Sequence, residues 1–327
     1  MNFKNTSILA IGAILLSVSV SAKELRLSHQ WSTKDIRHKV AVKVANYVKQ
    51  KNVGLSIKIF PSKSLFKPKE QYKPLTRGQL DMTVFPLSYA GGQQPAYNLT
   101  LMPGLVKNHD HAARLNKSSF MQEIEKIMAS DDVMVLVHGY LAGGFAGKEK
   151  CITGPKDVKG LQTRAAGKAF ENMLVGAGAS IASMPSSAIY NAMQTGVLQA
   201  ANTSSSSFVS YRIYEQVKCY TPAGKTALWF MYQPLLMNKT VFDSLDKNQQ
   251  TVLMEGAKIA EEYYLNGAKK EDDASVKVFK KNGVRIKEMS VDEFNAWREI
   301  AKETSYKKFV SGYKDGQRLL DLALSVN

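Results

Sequence analysis

Apolar and polar positions follow two periods along this chain, and the changes between them mark out strands and helices. The pattern is densest from Val158 to Ser207. Gly160–Arg164 is a short extended run, and Phe170, Met173, Leu174 and Ala177 then recur at i, i+3, i+4 and i+7, the spacing of one helix face. Gly176 and Gly178 can end that helix. Ile181–Met184 is extended again until Pro185 breaks it; Ser186 or Ser187 can cap a second helix with the apolar face Ile189, Ala192 and Met193. Gly196 closes it before a third strand, Val197–Ala201. Such a βαβαβ unit makes a parallel sheet, and ligands bind beyond the carboxyl ends of its strands. Arg164 stands at one such end, and Asn202, Thr203 and the serines Ser204–Ser207 stand at another. A planar guanidinium can grip a carboxylate with two parallel hydrogen bonds, so the group suits an anion. The same spacing also fits a solvated surface arginine.

The first third repeats the plan. Leu25 and Leu27 alternate with charges in Lys23–Ser28, and His29, Gln30 and Trp31 follow at the strand end. Ser32, with Asp35 three residues on, can cap a helix whose face is Ile36, Val40, Val44, Tyr47 and Val48. Leu55, Ile57 and Ile59 alternate as a second strand. Lys69–Arg77 reads as a short helix, Leu80–Phe85 as a third strand, and Pro86, Ser88, Tyr89, Gly91 and Gly92 as a loop. Met134–His138 is a strongly apolar strand leading to the glycine-rich crossing Gly143–Lys148, and Ala227–Asn238 (ALWFMYQPLLMN) passes back as a strand. Asp246–Asn282 lacks breakers other than Gly256 and Gly267, and can form one helix of about 55 Å. Ser290 with Glu293 forms a capping box, and Asp315–Leu324 is a last amphipathic helix. Two halves of like plan predict a bilobed α/β protein. Domain I would take 23–141 plus about 230–265, and domain II 142–229 plus about 266–327.

Residues 1–22 stand apart: Lys4, the apolar run Ile8–Val18 and Val20-Ser21-Ala22 have the form of a cleaved signal peptide. The expectation is export to the periplasm. A formal charge of +16 could serve nucleic acid, a membrane or an acidic ligand, but the lysines are dispersed, and no nucleic-acid partner is expected. The only cysteines are Cys151 and Cys219. In an oxidising compartment they can pair, closing a long loop worth roughly 4 kcal/mol in the chain-entropy account; two free buried thiols are the alternative. His109 and His111 lack further metal ligands, so no metal and no cofactor is expected. No G-x-S-x-G elbow, G-x-G-x-x-G turn or H-E-x-x-H helix occurs. Gly143–Lys148 fails as a phosphate loop because Ala142 and Glu149 occupy essential positions. The balance favours binding over catalysis.

KGLQTRAAG followed by SMPSSAIYNAMQTGVLQAA resembles the substrate-binding proteins of tripartite ATP-independent periplasmic (TRAP) transporters, the DctP type. GQLDMTVFPLSYAG resembles that family's cleft-facing loop. The resemblance implies a periplasmic-binding-protein-like fold of type II, with two parallel or mixed sheets joined by crossing strands and a long helix spanning both lobes. It implies Arg164 as the clamp on a substrate carboxylate. Asn202, Thr203 and Ser204 would assist, His29, Gln30, Trp31, Phe85, Ser88 and Tyr89 would line the facing lobe, and Tyr232 would sit near the hinge. The partners implied are a small carboxylate and the membrane permease, with the protein monomeric and not an enzyme. A sensor subunit of the same fold, and a secreted hydrolase, are the alternatives. The chain departs from the family where QTGVLQAANTS stands for a QTGVVDGAENP-like run, and where Ala146 and Lys148 follow Phe145. These departures favour a small or aromatic monocarboxylate over sialic acid or a C4-dicarboxylate.

Overall fold

The structure is a computed structural model that describes residues 23–225 and 227–326. The signal-peptide expectation falls on residues 1–22 and lies outside the described residues.

Two sheets organise the chain. The first has five strands in the order Leu55–Phe60, Lys23–Ser28, Met82–Val84, Leu235–Asn238 and Val133–Val137. Lys23–Ser28 pairs in parallel with both neighbours, as the first βαβ pattern requires, whereas Leu235–Asn238 runs antiparallel to both of its own. The second sheet has seven strands. Arg285–Ile286, Cys219–Thr221, Tyr140–Gly147, Ala200–Ser204, Gln162–Ala165 and Ser180–Ser183 lie in that order, and Trp229–Tyr232 also pairs with Tyr140–Gly147. Gln162–Ala165 is parallel to both Ala200–Ser204 and Ser180–Ser183. The result is a bilobed α/β fold.

The lobes are joined by two short crossings lying side by side. One runs through His138 and Gly139, from Val133–Val137 in the first sheet to Tyr140–Gly147 in the second. The other returns through Gln233 and Pro234, and the Gln233 N–H donates to the Gly139 carbonyl at 2.7 Å. Gly139 has to be glycine here: a Cβ would fall 1.9 Å from a ring carbon of Tyr264.

Tyr264 belongs to a 35-residue helix, Lys247–Lys281, that spans both lobes. Asp246 caps it in a reciprocal box with Gln249. Its first half buries Leu253, Ala257, Ala260 and Tyr264 in the core of the first lobe. Its second half sets Phe279 against Tyr220, ring centroids 4.1 Å apart, in the core of the other. Tertiary packing on two cores therefore stabilises a helix longer than its propensity alone would sustain. Cys151 and Cys219 form a disulfide, Cα atoms 4.9 Å apart, beside the paired ends of Tyr140–Gly147 and Cys219–Thr221.

Several local expectations shift. The third strand of the organising stretch is Ala200–Ser204, not Val197–Ala201. Gly196 turns in the left-handed region and the Leu198 N–H still closes onto Ala192, so pairing begins later. Asn202 and Thr203 thus lie within the strand, and Ser204 caps the helix Ser205–Ser210. Ser32 is not the cap of the first helix. The chain makes one more turn, and Asp35 caps Ile36–Lys51 by accepting from the Arg37 N–H. The helix expected over Lys69–Arg77 is confined to Tyr72–Thr76.

Candidate solute site between the lobes

Arg164 ends the strand Gln162–Ala165 and is buried, 1% exposed. Its Nε donates to the Met184 carbonyl at 3.0 Å, Nη1 to the Asn202 carbonyl at 2.7 Å and Nη2 to the Tyr89 phenol at 3.0 Å. Among the described residues, two of its five guanidinium N–H groups have no partner. Among the described residues no carboxylate lies within ion-pair distance of it. Burial disfavours the charge and pulls its pKa down, opposed mainly by Tyr89. It is a desolvated cation held by neutral groups.

Tyr89 comes from the other lobe, on the short turn Leu87–Ala90 after the strand Met82–Val84. Its oxygen also accepts from the Ser186 N–H at 3.1 Å. Burial works to raise the phenol's pKa, but Arg164 and the Ser186 N–H outweigh it, and the pKa falls. The Gln30 side chain lies beside Tyr89 and helps to lower the phenol's pKa, while its buried Oε1 has no hydrogen-bond partner among the described residues. Asn202 donates Nδ2 to the Arg164 carbonyl at 3.0 Å and leaves a buried Oδ1 unpartnered. Ser88 Oγ is buried and unpartnered too, next to Gly167 of the facing lobe. Arg164, Tyr89, Gln30, Asn202 and Ser88 therefore bring one uncompensated charge and several unsatisfied polar atoms to the seam between the lobes. Native interiors leave few such atoms, so their concentration here makes the seam the candidate site.

The remaining residues singled out in the sequence make their contacts within the protein. Thr203 is buried in its strand, opposite Gly144. His29 takes the Trp31 N–H on Nδ1 and shares a 3.0 Å hydrogen bond with His38. Burial, then His38, lowers its pKa to about 3. Phe85 stacks on Tyr72 within the core of the first lobe. The Tyr232 phenol bonds His138 at 2.7 Å and its ring packs on Tyr140, at the crossing. Lys148 donates to the Met193 carbonyl. His109 and His111 diverge, one bonding Asp272 and the other the Val326 carbonyl.

Ser204 belongs to a second buried cluster, which sequence reasoning did not find. Arg37 is also 1% exposed, and it is saturated. Nε and Nη2 form a two-point pair with Asp35, both at 2.7 Å. Nη1 reaches Gln233 at 2.6 Å and Ser204 at 3.3 Å, and Nη2 reaches Ser206 at 3.0 Å and Ser207 at 2.9 Å. Trp31 lies under the guanidinium, 4.1 Å from ring centroid to Cζ. Burial opposes both charges, but their mutual attraction dominates: the pKa of Asp35 falls and that of Arg37 rises.

A cavity of about 360 Å³ opens on the outer side of Tyr89, lined by Lys69, Ser88, Gly167, Lys168 and Ser183 from both lobes. A larger groove of about 710 Å³ lies along the spanning helix. Within it Lys269 pairs with Asp110 and His109 hydrogen-bonds Asp272, and Lys225, Lys277 and Lys280 also line it, at a surface open to solvent rather than at a buried seam.

Two lobes on a double crossing, meeting over a buried cation, define a bilobed solute-binding protein. The chain belongs to the bacterial extracellular solute-binding protein family 7 (DctP), whose profile matches residues 27–312. This is the family of the substrate-binding proteins of TRAP transporters, which are not enzymes. A solute-binding protein of Albidiferax ferrireducens is 35% identical over 305 residues, 91% of this chain and 90% of its own length. A TRAP periplasmic solute-binding protein from Rhodoferax ferrireducens, solved with bound malonate, matches with a TM-score of 0.89 at 35% identity, covering 92% of this chain and 98% of that one. The C4-dicarboxylate-binding periplasmic protein DctP of Rhodobacter capsulatus is 24% identical over 89% of each chain.

Proposed function

We propose that this protein captures a small organic acid between its lobes, with the carboxylate on Arg164, and delivers it as a monomer to the permease of a TRAP transporter. The observation that carries the reading is Arg164 itself, a buried cation with no acid partner among the described residues and two donors unused. Asn202, Gln30, Ser88 and Tyr89 supply hydrogen bonds to the rest of the solute. Thr203, Ser204, His29, Trp31, Phe85 and Tyr232 build the walls that hold those groups. The second buried arginine, Arg37, is already neutralised by Asp35, so the inner cleft favours one carboxylate over two. Export rests on the leader-like residues 1–22.

Calorimetric titration with a panel of organic acids tests the reading. Arg164→Ala is expected to weaken every carboxylate hit by about 100-fold or more, the cost of losing a bidentate charged contact in a dry site. Full affinity in that variant would remove the clamp.

A further inference from the structure

Arg37 is too well satisfied to be a ligand contact, yet its partners lie on both sides of the seam. Asp35 and Arg37 follow the first strand of the five-stranded sheet. Ser204 ends a strand of the seven-stranded sheet, Ser206 and Ser207 open the helix after it, and Gln233 sits in the returning crossing. The contact is reinforced from the far side: Ser210 donates to Asp35 at 2.7 Å, and the Tyr211 phenol donates to the Gln30 carbonyl at 3.0 Å. The ion pair is internal to one lobe, whereas the serine contacts cross the seam, so only the latter would be broken if the lobes parted.

We propose that Arg37 is a positioning residue for solute capture. Asp35 and Trp31 mount its guanidinium rigidly, and the guanidinium latches the hydroxyls of Ser204, Ser206 and Ser207 across the seam. The latch favours the closed arrangement whichever acid occupies Arg164. The inference rests on the reading of the seam as a solute trap. In such a trap the apparent affinity is the intrinsic affinity reduced by the fraction of competent, closed molecules. A weaker latch therefore lowers the affinity for all ligands by one common factor, and it acts through faster release.

The test is the double variant Ser206→Ala/Ser207→Ala, which leaves the Asp35–Arg37 pair in place. Binding of malonate, pyroglutamate and glucuronate is followed by stopped flow in the wild type, the double variant and Arg164→Ala. The expected result is a release rate raised about tenfold for each acid the wild type binds, with association rates and rank order unchanged. Release rates like those of the wild type would overturn the latch, even if the melting temperature fell, because the serines would then be merely structural. An effect confined to one acid would overturn it as well, by making the serines ligand contacts. If Arg164→Ala abolishes binding while the double variant binds normally, the latch fails and the clamp stands. If none of the acids binds the wild type, the clamp reading fails and takes the latch with it.

Discussion

Two arginines lie equally deep in this protein and do opposite work. Arg37 is neutralised by Asp35, collared by three serines and a glutamine, and backed by an indole. Arg164 has two carbonyls and a phenol. Burying an ion costs several kcal/mol, recovered only when a counter-charge and full hydrogen bonding accompany it. Arg37 meets that condition within the chain, and its pKa rises; Arg164 does not, and its pKa falls. The difference lies in partners rather than in burial: the fold compensates one charge and leaves the other open. Under the function proposed above, the counter-charge of Arg164 is the carboxylate of the bound solute.

The largest expected effect strikes at the closed pair. Asp35→Ala leaves Arg37 buried without its carboxylate, and the expected loss of stability is about 3–5 kcal/mol by chemical denaturation. Arg164→Met removes a cation that has no internal counter-charge. Its ligand-free stability should equal or exceed that of the wild type, while carboxylate binding disappears. Equal destabilisation by both variants would break the distinction.

The distinction was half legible in the sequence. Arg164 could be found because its setting is local: a short strand, a chain break and a helix face within a few residues of each other. The spanning helix and the capping boxes at Asp246 and Ser290 were legible for the same reason. Arg37 was not, because a charged residue at a helix start looks like any solvated surface group, and its serine partners are 167 to 170 residues away. The serine run is plain in the sequence, but its hydroxyls bond Arg37 and one another. The late start of the strand Ala200–Ser204 moved the whole group by three residues relative to the pattern. The i, i+2 spacing of Asp35 and Arg37, beginning four residues after Trp31, is the one signal in the sequence that suggests a buried pair.

A middle-sized effect sharpens the open side. Tyr89→Phe removes the hydrogen bond that, among the described residues, ties the Arg164 guanidinium to the facing lobe, and it also strips the Ser186 N–H of its acceptor. Carboxylate affinity is expected to fall about tenfold, in line with a single hydrogen bond to a charged group. Titration calorimetry would show it. A variant that binds as the wild type does would place Tyr89 in the wall rather than in the clamp.

The smallest effect concerns pH and the support beneath Arg37. His29 stacks near Trp31, ring centroids 6.0 Å apart, and burial and His38 hold it neutral to about pH 3. In the unfolded chain it takes up a proton below about 6.5. Between those values the unfolded state binds more protons, so stability is full above about pH 6.5 and declines as pH falls through the window, by at most about 1.4 kcal/mol per pH unit for this one group. His138, held neutral by burial to about pH 4, acts in the same direction. Glu125 and Glu261 beside it have raised pKa values, chiefly from burial, and act the opposite way as pH rises. His29→Asn should therefore flatten the dependence of melting temperature on pH between about 6.5 and 4 without changing the ranking of acids bound. A ranking of acids that differs between His29→Asn and the wild type at the same pH would mean that His29 reaches the solute after all.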